Sequence, residues 1–356
     1  MVQDGAAVGV GRGIGMGMSS VEAGRMRALA AEAEPHLVTE PVEWNRKLAA
    51  HHDRLTEALR WFITSGDATA AVEMVANLRR YWFDERHHAE ARELSAAAVE
   101  MDGAPSAPRY AEAMMGWARF TFFTGRPAGD AYALALAAAR AQGDAVSEVE
   151  CLSGLARVAL RGGRWDDVRR HAQEALQLAR STGDGSHQRV PVHMLAAAAR
   201  MTGDYEEARR RYAESIAIGE AMGMASHVPC EHHNLGYVEL HCGNVVDAEK
   251  MFRMALEGAQ RTGATWLLPY CVLDFGILAV AQGDLKLGAV LVTAARSSFD
   301  AAGVALDPDD DAEYQSVVQA LHDRLDAVRL ASLSTHGQAL SLEDAVALVS
   351  RAGNSL

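Results

Sequence analysis

Glycine returns every 20 residues through much of this chain, at positions 143, 163, 183, 203, 223, 243, 263, 283 and 303. With 31 glycines in 356 residues, nine sites chosen at random would hold fewer than one. A glycine just past a helix end supplies the left-handed residue that stops the helix at no steric cost. The spacing therefore predicts helices of roughly 15 residues, paired into units of about 40. Aligned on that period, Gly162-Gly163-Arg164, Thr202-Gly203-Asp204, Cys242-Gly243-Asn244 and Gln282-Gly283-Asp284 occupy the same turn. Small residues recur before it at Ala156, Ala196, Gly236 and Gly276, and after it at Ala175, Ser215, Ala255 and Ala295. Small side chains at fixed points let two helices approach closely, and Leu155, Leu195, Leu235 and Phe275 fill the space beside them.

Composition agrees with close-packed helices. Hydrophobic residues make up 49% and charged residues 23%, which supports a core, while aromatics reach only 6%. Upstream of residue 143 the period blurs, but Ser65-Gly66-Asp67, Arg86-His87-His88 and Thr124-Gly125-Arg126 still break amphipathic segments. The expected fold is all-α: a right-handed superhelix of antiparallel helical hairpins, about 40 residues per repeat, each burying its apolar face against its neighbours. Residues 1–20, glycine-rich, are expected to be disordered, residues 21–306 to form the repeat array, and residues 307–356 to form an acidic helix-start linker at 307–311 and capping helices at about 312–330 and 342–352.

Several functions are disfavoured. The formal charge is −13, from 47 acids against 34 bases, so a phosphate backbone is repelled and direct nucleic-acid binding is not expected. Four scattered cysteines form no CxxC pair and no disulfide framework. No leader pattern and no unbroken run of 18 apolar residues are present, so a cytoplasmic chain without a membrane partner is expected.

The punctuation resembles tetratricopeptide-like repeats in a long form. Leu48-Ala49-Ala50-His51-His52-Asp53-Arg54-Leu55 and Leu78-Arg79-Arg80-Tyr81-Trp82 resemble the entry to the repeat region of bacterial STAND-type ATPase regulators, which often end in a LuxR-type helix-turn-helix. Gly337-Gln338-Ala339-Leu340-Ser341-Leu342-Glu343-Asp344 is similar to the segment closing that region. The resemblance implies the sensor part, where such proteins receive an inducer or partner. Neither a G-x-x-x-x-G-K-[ST] phosphate loop nor a DNA-binding helix pair accompanies it, so ATP hydrolysis is not carried over.

Candidate groove residues follow from the repeat alignment. Cys230, His233, Tyr237 and His241 lie at i, i+3, i+7 and i+11 on the first helix of one hairpin, and His193 is the 40-residue counterpart of His233. Imidazole and thiolate suit metal binding or acid–base work, but no paired metal spacing occurs; the plainer reading is a polar groove wall with a buried thiol. Arg157, Arg200, Tyr270 and Asp274 join the same face, with Trp266 one turn from Tyr270 as a candidate stacker. His51-His52 and His87-His88 are read as solvated doublets. The expected function is that of a non-enzymatic module binding a peptide or protein partner in its groove, in transcriptional or signalling control, without cofactor or metal. The alternative is a small-molecule effector site or a recruited biosynthetic enzyme using the His, Tyr and Cys side chains.

Overall fold

The computed structural model describes residues 18–183, 185–302, 304 and 306–352. Residues 1–17, which hold most of the glycine-rich start, lie outside the described residues, as does Gly303. Eighteen α-helices account for the fold, and no strand occurs among the described residues. All eight other glycines of the 20-residue series sit after a helix at φ between +63° and +93°. That conformation lets the following amide turn back onto the last carbonyls: the Asp204 N–H donates to the Ala199 carbonyl at 3.0 Å, and the Asp284 N–H to that of Ala279 at 2.8 Å.

The chain divides into two compact units, up to Pro127 and from Ala128. In the first, α1 (Ser20–Thr39) packs on α2 (Pro41–Ala49), α3 (His52–Ser65) and α4 (Ala68–Asp84). Then α4 packs on α5 (His88–Val99) and α6 (Tyr110–Phe123) around the buried Tyr81, Trp82 and Phe120. In this unit Arg86 stands at φ +61° where the later repeats carry glycine, so the upstream period is blurred in sequence but the left-handed stop persists.

The second unit opens with α7 (Gly129–Gln142) and continues in four hairpins. These are α8 (Ala145–Arg161) with α9 (Trp165–Ser181), α10 (Arg189–Met201) with α11 (Tyr205–Ala221), α12 (Val228–His241) with α13 (Val245–Thr262), and α14 (Leu268–Gln282) with α15 (Leu285–Ala302). Their first helices touch in series, α8 to α10, α10 to α12 and α12 to α14, and so form one inner face. Ala156, Ala196, Ala175, Ala255 and Ala295 are fully buried at the predicted small positions, and Gly236 sits against the ring of Phe252. A Cβ at Gly236 would overlap that ring, and Phe252 is itself fully buried with no room to swing away. Gly236→Ala is expected to cost about 1–3 kcal/mol by overpacking, read as a lower urea midpoint. A midpoint unchanged from the parent chain would mean that the two helices do not need this close approach.

The C-terminal region differs from its sequence reading. Residues 307–311, expected as a helix-start linker, belong to the helix itself: Pro308 starts α16 (Pro308–Arg324), with Asp307 at its N-cap position and Asp309, Asp310 and Asp311 in the first turn. Proline is tolerated at a first helical position and carboxylates are favoured there by the helix dipole, so the acidic run is a helix start. The helix expected over 312–330 ends at Arg324, and Ala327–Gln338 forms a separate α17 capped by Asp326. Leu342–Ala352 forms α18 as expected, and both α17 and α18 pack on α15. One stretch, Thr265–Gln282, is long and apolar enough to cross a membrane by composition, yet 61% of it is buried in the second unit's core.

Candidate functional site

Four inner helices of the second unit bring the sequence-derived candidates together. His193 and Arg200 stand on α10, Cys230, His233, Tyr237 and His241 on α12, Tyr270 and Asp274 on α14, and Arg157 on α8. Helical spacing alone places each set on one side of its helix, and the 40-residue step places the sets side by side.

His233 is the centre. Its Nδ1 lies 2.9 Å from both oxygens of Asp274 and its Nε2 lies 3.3 Å from Asp310 of α16. A ring nitrogen facing a carboxylate on each side requires both to be donors, which is the imidazolium. Burial alone would drive its pKa down, but the two carboxylates prevail and raise it to about 10. The Tyr237 hydroxyl donates to Asp274 at 2.8 Å. Burial raises the Asp274 carboxyl above its ordinary value, an effect that His233 and Tyr237 only partly offset. Tyr270 packs edge-on between His233 and Phe299, at centroid distances of 5.8 and 4.8 Å, while Trp266 stands beside it, 48% exposed.

Sequence reasoning missed what lies opposite these side chains. The acidic start of α16 runs across the inner face. Asp307 meets Arg161 at 3.0 Å, Asp309 meets Arg200 at 2.7 Å, and Glu313 meets His241 at 2.8 Å. Arg200 is almost wholly buried, its guanidinium over the Tyr237 ring at 5.3 Å, and its Nε and Nη1 have no partner. Burial and the Asp310 charge lift the Asp309 carboxyl above its usual range; for Asp310, burial is outweighed by His233 and Arg200, which hold it below. Glu231, also missed, accepts from Ser215 at 2.7 Å and pairs with His193 at 2.8 Å. The signal for the first omission is five residues with four acids, whose helix-start character is legible in the sequence but whose cationic partners are not.

The chemistry available is ionic rather than nucleophilic. Burial, then the Glu231 and Asp310 charges, push the Cys230 thiol up, and burial does the same to Cys271; a neutral thiol is a poor nucleophile and metal ligand. In the first unit the histidine doublets are not simply solvated. His52 is half-buried between the Tyr81 hydroxyl at 3.0 Å and Glu90 at 2.9 Å and stacks on His87 at 4.0 Å; His88 packs on Phe83 and Phe123. Ligand atoms of His52, His87 and Glu90 lie within 4.8 Å of one another, a set able to hold a metal ion. In the first doublet only His52 turns inward and His51 is exposed, whereas both His87 and His88 are half-buried.

Residues 148–221, which span the α8–α9 and α10–α11 hairpins, match the tetratricopeptide repeat family model. No curated protein matches the chain. Among solved structures, the chain is similar to a Rap protein complexed with Competence and Sporulation Factor, at TM-score 0.60 and 12% identity over 92% of this chain and 98% of that one. It is similar to aspartyl phosphate phosphatase F from Bacillus subtilis, at TM-score 0.58 and 13% identity over 95% and 97%. It is also similar to a STAND protein with a tetratricopeptide repeat sensor from Pyrococcus horikoshii, at TM-score 0.52 and 15% identity over 88% of this chain and 50% of that one. These likenesses establish the fold as an all-α tetratricopeptide-like repeat.

Proposed function

We propose that this chain is a non-enzymatic binding module whose second unit takes a peptide or protein segment along its inner face. The observation that carries this reading is the row of Arg and His side chains on α8, α10 and α12, which holds a run of carboxylates from the chain's own α16. A face that grips one acidic helix start can grip another segment of similar chemistry. The similar Rap protein was solved in complex with Competence and Sporulation Factor, which supports a bound partner in this type of fold. The STAND protein's repeat region is described as a sensor, which supports regulatory or signalling control acting through a partner. In this reading residues 21–306 are the scaffold, residues 307–356 its cap, and the chain acts in the cytoplasm, with transcriptional control as its setting. The recruited-enzyme alternative is weakened by the neutral thiols and by His233, whose two ring nitrogens are both engaged.

Panning a random displayed-peptide library on the full chain tests the proposal. Selected peptides should bind at least tenfold more weakly to Arg161→Ala and Trp266→Ala, and equally well to Val246→Ala, which is 82% exposed on α13. Failure to select any sequence, or equal loss at Val246, would overturn it.

A further inference from the structure

In four turns of the chain the residue after the left-handed glycine is an aspartate: Asp67, Asp144, Asp204 and Asp284. Each carboxylate accepts from the amide three residues on. Between α4 and α5 the left-handed residue is Arg86, and the N-cap that follows is His87, whose side chain caps nothing. Its ring instead lies over that of His52, the first residue of α3, with centroids 4.0 Å apart and planes 19° from parallel. No hydrogen bond or ion pair engages a His87 ring nitrogen among the described residues. Glu90, in the first turn of α5, brings Oε2 to 2.9 Å from His52 Nε2, while its Oε1 accepts from Arg60 at 3.1 Å. One ligand atom from each of His52, His87 and Glu90 lies within 4.8 Å of the other two, and all three residues are half-buried. The fully buried Tyr81 flanks both imidazoles, at centroid distances of 5.9 Å from His52 and 5.7 Å from His87. Its hydroxyl meets His52 Nδ1 at 3.0 Å.

We propose that His52, His87 and Glu90 bind a divalent d-block cation, with zinc the best match, and that water takes the fourth position. Two imidazole nitrogens and one carboxylate oxygen are the donor set of an open, three-ligand zinc site, whereas magnesium and calcium take oxygen ligands. The outer groups that such a set needs are in place. A ligating imidazole presents one nitrogen lone pair and donates its other N–H. The Tyr81 hydroxyl can accept from the Nδ1–H of His52, which leaves Nε2 to face the metal beside Glu90. Arg60 orients the carboxylate through the oxygen that the metal does not use. Binding asks for one movement: the His87 ring, held by no hydrogen bond, turns its lone pair toward the other two donors until the metal–ligand distances reach about 2.0–2.2 Å. Because the ligands come from both α3 and the start of α5, an ion there ties two segments of the first unit together and couples metal binding to stability. This site stands independently of the peptide-binding reading, which concerns the second unit.

The full chain, stripped by a chelator and dialysed against zinc chloride, tests the site. The parent chain should retain one equivalent of zinc more than His87→Gln does. In isothermal titration calorimetry, His87→Gln and Glu90→Gln should each weaken zinc binding by about tenfold or more. His51→Gln, which removes an exposed ring next to the site in sequence, should leave it unchanged. Saturating zinc, unlike magnesium, should raise the melting temperature of the parent by about 3 °C or more, and His87→Gln should abolish that rise. Cobalt(II) bound in place of zinc should give the intense visible absorption of a four-coordinate centre, and either ligand variant should lose it. Failure of the parent to retain zinc, equal affinity in the parent and both ligand variants, an equal loss in His51→Gln, or displacement of zinc by excess magnesium would overturn the proposal.

Discussion

Replacing Asp274 with Ala should destabilise the second unit by about 3–5 kcal/mol, the cost of removing one partner from a buried ion pair. Asp274 is fully buried, and both of its oxygens are engaged by His233 and by the Tyr237 hydroxyl. Alanine leaves a buried imidazolium with only the longer contact to Asp310 and leaves a fully buried phenol without an acceptor. Both deficits add to the desolvation already incurred. Asp274→Asn keeps an acceptor and loses the charge, so its penalty should fall between those of the parent and the alanine variant. Urea unfolding of the full chain, followed by tryptophan fluorescence, gives the comparison. A loss under about 1 kcal/mol for alanine would mean that the network contributes little beyond packing.

The second large effect is a fall in stability as pH rises from neutral into the alkaline range. His233 has a folded-state pKa of about 10 against an ordinary value of 6.5. Below 6.5 both states carry the proton, so the contribution is fully present there. Between 6.5 and 10 the folded state binds a proton that the unfolded state has lost, so each step of pH removes stability until the imidazolium itself deprotonates. One pKa unit corresponds to about 1.4 kcal/mol, and the whole window is worth on the order of a few kcal/mol. The groups facing the ring are Asp274 and Tyr270 from α14, Asp310 from α16 and Tyr237 from its own helix, with Arg200 of α10 reaching Asp310 at 3.8 Å. The melting temperature should therefore drop steadily between pH 7 and about 10, and His233→Gln should flatten that slope while lowering the neutral-pH value. A parent chain that becomes more stable as pH rises over this range would place a neutral imidazole at position 233.

Much of the inner face could be read before any coordinates. The stripe of Cys230, His233, Tyr237 and His241 required only helical spacing, and its alignment with His193 required only the 40-residue step. Reading failed where the deciding contact was remote. Asp307-Pro308-Asp309-Asp310-Asp311 reads as a helix-start linker from its neighbours, because proline and acids suit both a loop and a helix start, and nothing local names its partners. Its three ion-pair partners, Arg161, Arg200 and His233, lie 146, 109 and 77 residues upstream. Glu231 was passed over for a similar reason, since nothing beside it in the chain announces that His193 and Ser215 converge on it.

The sequence by itself determined where helices stop and which of their faces are apolar or crowded, because those properties depend on backbone conformation and side-chain size within a few residues. It also determined the repeat, since each hairpin carries the same punctuation. Only the tertiary structure decided the charge state and partners of the polar face. Whether His233 is an imidazolium, and whether Arg200 meets a carboxylate, depends on which distant acids the stacked helices bring within about 4 Å and on how completely water is excluded there.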